Sequence, residues 1–374
     1  MPVTDQHLTE DACRVDDLIA VLDERTTPAD FPLAAGVEQE VLVYEAGALL
    51  AADPAATRAE LVRAFADGPG VVVLRGAYPD TAVVDRATAV FEEIIADEGG
   101  SGADHFAAAG ANDRVWNALE KLAVRAPEVF VDYYANPAIA LAADAWLGPG
   151  YQVTSQVNVV RPGGQAQVGH RDYHLGFLPS AVIERFPPHV HRLSPVLTLQ
   201  GAVAHTDMPV ETGPTLYLPH SQKYLPGYLA MNRTDFRQLF VERHVQLPLA
   251  KGDAAFFNPA VVHGAGTNTT ADQRRIANLL QVSSAFGRAM ESVDRERVCA
   301  AIYPALAAHP DPQHAIAAAA EGYAFPTNLD RDPPVDGLAP PTQADVVRRA
   351  LAQRWPPEMF RSRLAAHSAR RRTS

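Results

Sequence analysis

Apolar and polar positions change their period twice along the chain, and the changes divide it into three parts. Up to residue 67 the pattern is helical. In GALLAADPAATRAELVRAFADG, Leu49, Leu50, Leu61, Val62 and Phe65 recur at near-helical spacing and Gly68 supplies a stop. A short β-branched run between glycines, Val71 to Arg75, predicts a buried strand. From Asp80, a residue type that caps helices, Val83, Val84, Ala87, Val90, Phe91, Ile94 and Ile95 share one helical face, and a glycine pair at 99–100 closes the element. A further helix is framed by Asn136 as cap, Pro137 at its first position and Gly148 as its stop.

Beyond residue 150 the period falls to two. Tyr151, Val153, Ser155, Val157 and Val159 alternate with Gln152, Thr154, Gln156 and Asn158, which predicts a strand with one polar face. Such groups are costly to bury unpaired, so that face needs water, a ligand or a lumen. Short runs follow at 194–205, 214–221, 254–266 and 274–286, separated by Pro/Gly-rich breaks, and predict a sandwich or jelly roll with the helices outside it. On the first of these runs Thr198, Gln200 and Ala202 share a face and could join the same lumen. After about residue 288 loops and helix return, with a helix expected at 344–355 and a solvated arginine-rich end in ARRRTS. The expected organisation is mainly β with flanking helices: a helical N-terminal extension at 1–67, a core with embedded helices at 68–287, and a helical and loop extension at 288–374 packed on that core. Together these make one elaborated domain, within what 374 residues allow.

Composition narrows the function classes. Apolar residues make up 47% and charged residues 20%, which fits a globular protein and not a disordered or fibrous one. A net charge of -12 disfavours nucleic acid and anionic membranes as partners. Cys13 and Cys299 cannot build a disulfide framework, the start MPVTDQHLTEDAC lacks a signal-peptide core, and no apolar run approaches the ~18 residues of a membrane span. The expectation is a cytoplasmic protein.

The 13 histidines carry the chemistry. In VGHRDYHLGF, His170 and Asp172 stand two apart, so on a strand or strand edge they face one way and can clamp a metal ion through two positions. A third ligand from a distant strand would complete a facial triad that leaves three positions open on Fe(II). His263 in FFNPAVVHGAG is the natural third ligand; by itself an H-x-D is a common surface or capping pair. Eleven residues on, Arg274 opens the run RRIANLLQVSS, and a buried arginine there would grip a carboxylate bidentately. Arg274 could equally be a salt-bridged strand terminus, with Arg275 beside it as the alternative anchor. Of the other histidines, His189 and His191 on the Pro-rich stretch read as lid or surface, His174 as pocket-facing or simply packed, and His205 in a second H-x-D as structural or pocket-lining.

Taken together, His170, Asp172, His263 and Arg274 resemble the Fe(II)/2-oxoglutarate-dependent dioxygenases, and specifically the phytanoyl-CoA dioxygenase family. GVVVLRGAY looks like the family's opening strand, and ANPAIALAADAWLGP like its helix ending in L-G-P. GHRDYHLGF matches the region of the first two iron ligands, ETGPTLYLPHSQK its hairpin, and KGDAAFFNPAVVHGAGTNTTADQRR its distal histidine, H-G-x-G-x-N turn and arginine. The resemblance spans about residues 68–286 and implies a double-stranded β-helix, a jelly-roll and cupin-like core. It implies Fe(II) on His170, Asp172 and His263, 2-oxoglutarate with its distal carboxylate on Arg274, and O2 as the oxidant. It also lays the 151–160 strand along the co-substrate cavity, with Gln152, Thr154, Gln156 and Asn158 as contacts. From their own positions Tyr173, His174, Gln200 and His205 are the candidate substrate contacts. The implied reaction is hydroxylation of an unactivated C–H of a small-molecule metabolite with release of succinate and CO2; desaturation or cyclisation are variants of it. The chain departs from the pattern in the G-H-R-D sequence, in His220 where glycine is common, and in a long 177–195 insertion, all of which bear on substrate. Asp172 argues against a halogenase, in which a small residue replaces this carboxylate. The rival readings are a cupin-type metal enzyme that does not use 2-oxoglutarate and a non-catalytic barrel that binds a small ligand.

Overall fold

In the computed structural model, which describes residues 7–98 and 112–373, strands with a two-residue period and helices with one apolar face sort into layers. The strands are β1 (Gly36–Glu38), β2 (Val41–Glu45), β3 (Val71–Arg75), β4 (Asn112–Val115), β5 (Gln152–Val160), β6 (Thr198–Ala204), β7 (Leu216–Leu218), β8 (Val245–Gln246), β9 (Ala254–Phe257), β10 (Val262–Gly264) and β11 (Arg275–Ser283). Eight form a large sheet in the order β1-β2-β3-β9-β6-β11-β5-β4, and three form a small sheet in the order β10-β7-β8. Pairing is antiparallel except between β2 and β3. From β6 the chain crosses to the small sheet for β7 and β8, returns for β9, crosses again for β10 and returns for β11. That winding is the double-stranded β-helix.

Alternation decides what each face meets. Leu42, Tyr44, Val72, Leu74, Val153, Val157, Val159, Leu199, Val203, Phe256, Ile276, Leu280 and Val282 turn to one side and form the main core with the helices that cover it. Those helices include Pro54–Ala66, Ala82–Asp97, Pro127–Tyr134, Pro137–Leu147 and Arg295–Ala308. On the inner face, Val41, Val43, Val71, Val73, Ala255 and Phe257 pack against Tyr217 and Leu247 of the small-sheet side, closing one end of the space between the sheets. The N-terminal helix Val15–Leu22 packs with Leu216, Leu218, Tyr224, Phe236 and Phe240 on the small-sheet side.

Several expectations change. Helices hold more of the described residues than strands do, so the fold is a jelly roll within a large helical jacket and not mainly β. The stretch expected as a helical extension contributes β1 and β2 to the large sheet, and its helical part breaks at Pro54, where Asp53 caps the helix Pro54–Ala66 by accepting from the Ala56 N–H at 2.8 Å. The run 254–266 is two strands, because the turn between them, held by Asn258, moves the chain from the large sheet to the small one. Residues 194–196 end the helix Pro188–Val196 instead of starting β6. The arginine-rich end is solvent-exposed but helical: Pro357–Arg371 is a helix, and Arg370 reaches Asp332 while Arg371 reaches the Pro326 carbonyl. The glycine pair at 99–100 lies outside the described residues. No helix among the described residues is long and apolar enough to cross a membrane.

Candidate functional site

The other end of the space between the sheets is a cavity of about 640 Å³, and His170, Asp172 and His263 line it. His263 lies on β10, and His170 pairs with it as an isolated antiparallel bridge. The two residues exchange both backbone hydrogen bonds, at 2.9 and 3.0 Å, which sets their rings side by side with centroids 4.6 Å apart. Each ring is oriented by its own strand: Nδ1 of His170 lies 2.7 Å from the Val168 carbonyl, and Nδ1 of His263 lies 3.0 Å from the Val261 carbonyl. A carbonyl can only accept, so Nδ1 carries the hydrogen in both rings and Nε2 is left with its lone pair. Those Nε2 atoms face Asp172, at 3.6 Å from Oδ1 for His170 and 3.4 Å from Oδ2 for His263.

The donor atoms of the three residues all lie within 4.8 Å of one another. Burial pushes the Asp172 carboxyl up, but the neighbouring His263 and His170 rings and a hydrogen bond donated by Gln200 outweigh it and hold the group well below the usual carboxylate range. Burial, aided by the neighbouring His263, lowers His170, so its imidazole is neutral near neutral pH. Deprotonated carboxylate and neutral imidazole are the ligand forms. Two imidazole nitrogens and one carboxylate oxygen, with no lysine or arginine paired to Asp172 among the described residues, fit a divalent first-row metal such as Fe(II).

The two arginines separate cleanly. Along β11, Arg275, Ala277, Leu279 and Gln281 line the cavity, while Ile276 and Val282 join the helix-side core. Arg274 precedes the strand and turns out of the barrel, where it pairs with Glu92 at 2.7 Å, both side chains about half exposed. Arg275 is 5% exposed, has no carboxylate partner among the described residues, and makes one long hydrogen bond to the Thr212 carbonyl at 3.5 Å. Burial lowers its guanidinium to about 10, which leaves it charged at neutral pH. The geometry therefore places Arg275, and not the expected Arg274, in the cavity.

The polar face of β5 divides as well. Gln156 and Asn158 line the cavity. Gln152 instead donates to the Ser284 and Gly287 carbonyls, and the Thr154 hydroxyl donates to the Gln281 carbonyl at 3.0 Å; neither is part of the lining. Of the expected substrate contacts, Gln200 lines the cavity with Ala202. Tyr173 is buried away from it, and His174 is taken up by the Ser194 hydroxyl at 3.0 Å; both have positive φ as the chain reverses after Asp172. His205 has the opposite parity to Gln200 and points into the helical layer, 2.8 Å from both the Tyr133 and Thr88 hydroxyls. His189 is exposed and His191 buried on one helix, with no metal-ligating cluster around them among the described residues. Sequence reading missed Arg114, which donates to Gln156 Oε1 at 3.0 Å and lies over Trp116, and it missed Gln281. Alternation along β11 was available to find Gln281 and Arg275; β4, only four residues long, offered no comparable signal for Arg114.

The family model of phytanoyl-CoA dioxygenase (PhyH) matches residues 66–276. Solved structures similar to the chain include SnoN, a non-heme α-ketoglutarate-dependent epimerase from nogalamycin biosynthesis, at 21% identity over 62% of this chain and 84% of that one, with a TM-score of 0.43. HygX from Streptomyces hygroscopicus, with nickel and 2-oxoglutarate bound, is 15% identical over 63% and 90%, with a TM-score of 0.43. AviO1 from Streptomyces viridochromogenes Tue57 is 18% identical over 62% and 96%, with a TM-score of 0.45. No curated protein matches the sequence.

Proposed function

Since the chain belongs to the phytanoyl-CoA dioxygenase family, we propose that it hydroxylates an unactivated C–H of a small polar metabolite, holding Fe(II) on His170, Asp172 and His263 and 2-oxoglutarate on Arg275. That it is an Fe(II)- and 2-oxoglutarate-dependent enzyme follows from the family and the His-Asp-His cluster. The observation that carries the reading is the pairing, in one cavity, of a three-residue donor set that could hold a metal with a buried arginine that lacks a carboxylate partner among the described residues. When bound, the iron couples the oxidative decarboxylation of 2-oxoglutarate by O2, which releases succinate and CO2, to oxidation of the substrate.

The protein's share is binding, orientation and exclusion of water. Arg275 takes the distal carboxylate of 2-oxoglutarate, since a buried guanidinium gains most from a partner of opposite charge and planar shape. Asp172 and the two histidines would hold the metal through one carboxylate oxygen and two imidazole nitrogens, a donor set that suits iron which also has to take co-substrate and oxygen. Asn158 Oδ1, Gln200 Oε1 and Gln281 Oε1 are buried in the cavity lining without hydrogen-bond partners among the described residues. A substrate carrying hydroxyl or amine groups would satisfy them, whereas a bare hydrocarbon chain would leave them unpaired. Phe177, Met208, Met231 and Met290 supply apolar surface for its carbon skeleton.

The test is anaerobic loading with Fe(II) and 2-oxoglutarate, then exposure to oxygen with succinate quantified across a panel of hydroxylated and amine-bearing metabolites. Substrate-stimulated succinate with a product heavier by one oxygen supports the reading. Product formed without succinate favours a metal enzyme of another kind.

A further inference from the structure

Gln200 Nε2 donates to Asp172 Oδ2 at 2.6 Å, and this contact has a direction built into it. A carboxylate can only accept, so the NH2 end of the amide has to face Asp172 and the carbonyl end has to face away, where it finds no donor among the described residues. Gln200 is also anchored more firmly than the group it touches. It sits on β6 in the interior of the large sheet, in register with Gln281 of β11 on one side and Phe257 of β9 on the other, and is 6% exposed. His263 belongs to the small sheet and His170 is bridged to it, while Asp172 follows in a turn whose own backbone contact, to the Pro259 carbonyl, is long at 3.4 Å. Among the described residues, the amide of Gln200 is the hydrogen bond from the large sheet that reaches the side chain of a metal ligand.

We infer that Gln200 is a positioning residue for the metal. It holds Asp172 through Oδ2 and so fixes the orientation in which the carboxylate faces the Nε2 atoms of His170 and His263, the orientation in which the three residues would hold the metal. The inference rests on the iron-dependent reading of the same site. A hydrogen-bonded neighbour that orients a metal ligand is typically worth about 10- to 100-fold in metal affinity.

The experiment is anaerobic titration of the full chain with Fe(II), followed by addition of 2-oxoglutarate while the visible charge-transfer absorption of the chelate is recorded. Two variants remove the contact in different ways. Gln200→Met keeps the length and loses the donor; Gln200→Asn keeps the amide and loses the reach. Thr198→Val, at a buried hydroxyl without a partner on the same strand, controls for packing. Each is also melted without metal, and only variants that unfold cooperatively are scored. Both Gln200 variants are expected to weaken Fe(II) binding about 10- to 100-fold and to alter the charge-transfer band, with Thr198→Val at the wild-type value. A folded Gln200 variant that binds Fe(II) as the wild type does would overturn the inference, as would an equal loss in Thr198→Val. Failure of the wild-type chain itself to bind Fe(II) would overturn the iron-dependent reading instead, so the two failures are distinguishable.

Discussion

Replacing Arg275 with methionine separates the role of a buried charge from that of the strand carrying it. In the structure this guanidinium is almost fully enclosed and, among the described residues, lacks a carboxylate partner, with one 3.5 Å contact to the Thr212 carbonyl. A hydrogen bond to a charged group contributes about 1.5–3 kcal/mol, and about 1.36 kcal/mol corresponds to tenfold. Losing even one such bond therefore weakens 2-oxoglutarate binding by roughly 10- to 150-fold, and a bidentate pair loses more. The same substitution removes a buried charge that has no counter-ion, so the ligand-free protein should be as stable as the wild type or more so. Arg274→Ala gives the opposite profile. It breaks a half-exposed pair with Glu92, a kind of contact worth about 0.2–1 kcal/mol, and should leave 2-oxoglutarate binding untouched. Calorimetric titration with 2-oxoglutarate in the presence of Ni(II), which supports binding without turnover, measures the first effect, and urea unfolding the second. Unchanged affinity in Arg275→Met, or a large loss in Arg274→Ala, would refute the assignment.

Three further outcomes are expected. Burial lowers His205 to about 3, so the unfolded chain, with a histidine near 6.5, takes up more protons as pH falls through that window and the folded state loses stability. Between pH 8 and pH 5 this amounts to about 2 kcal/mol by urea unfolding, and His205→Gln should flatten the curve by that amount; a constant difference between variant and wild type across the window contradicts it. Gly227→Ala places a Cβ into the guanidinium of Arg171, which is clamped by the Ser221 and Tyr224 carbonyls between the two metal-ligand positions. It should cost about 1–3 kcal/mol in unfolding free energy, and wild-type stability would show that the segment yields freely. Chelation with EDTA should abolish succinate formation with the far-UV circular dichroism unchanged, because backbone hydrogen bonds hold His170 against His263 without help from a metal. Unfolding on chelation would mean the metal is structural.

The clustering of His170, Asp172 and His263 was legible because two of them are neighbours in sequence and the third is anchored on a strand. The jelly roll was legible from the two-residue period of β5, β6 and β11. Arg274 lies outside the cavity and Arg275 inside it, because spacing from His263 counts residues, whereas the inward face of β11 is set by where the strand starts and how it pairs with β5. The same parity argument, carried from Gln200 to His205, would have placed that histidine among the helices. β1 and β2 escaped notice because their three- and five-residue runs sit inside a stretch dominated by helical spacing. The partners of Gln152 and Thr154, which draw those side chains away from the cavity, are loop and strand carbonyls more than a hundred residues away. No local pattern encodes them.

The most direct test of the central claim is single-turnover chemistry on the wild-type chain beside His263→Ala. The anaerobic protein, loaded with Fe(II) and 2-oxoglutarate and mixed with oxygenated buffer, should convert 2-oxoglutarate to succinate, and His263→Ala should not. Succinate formation that is independent of Fe(II), or that survives the loss of His263, would contradict the account.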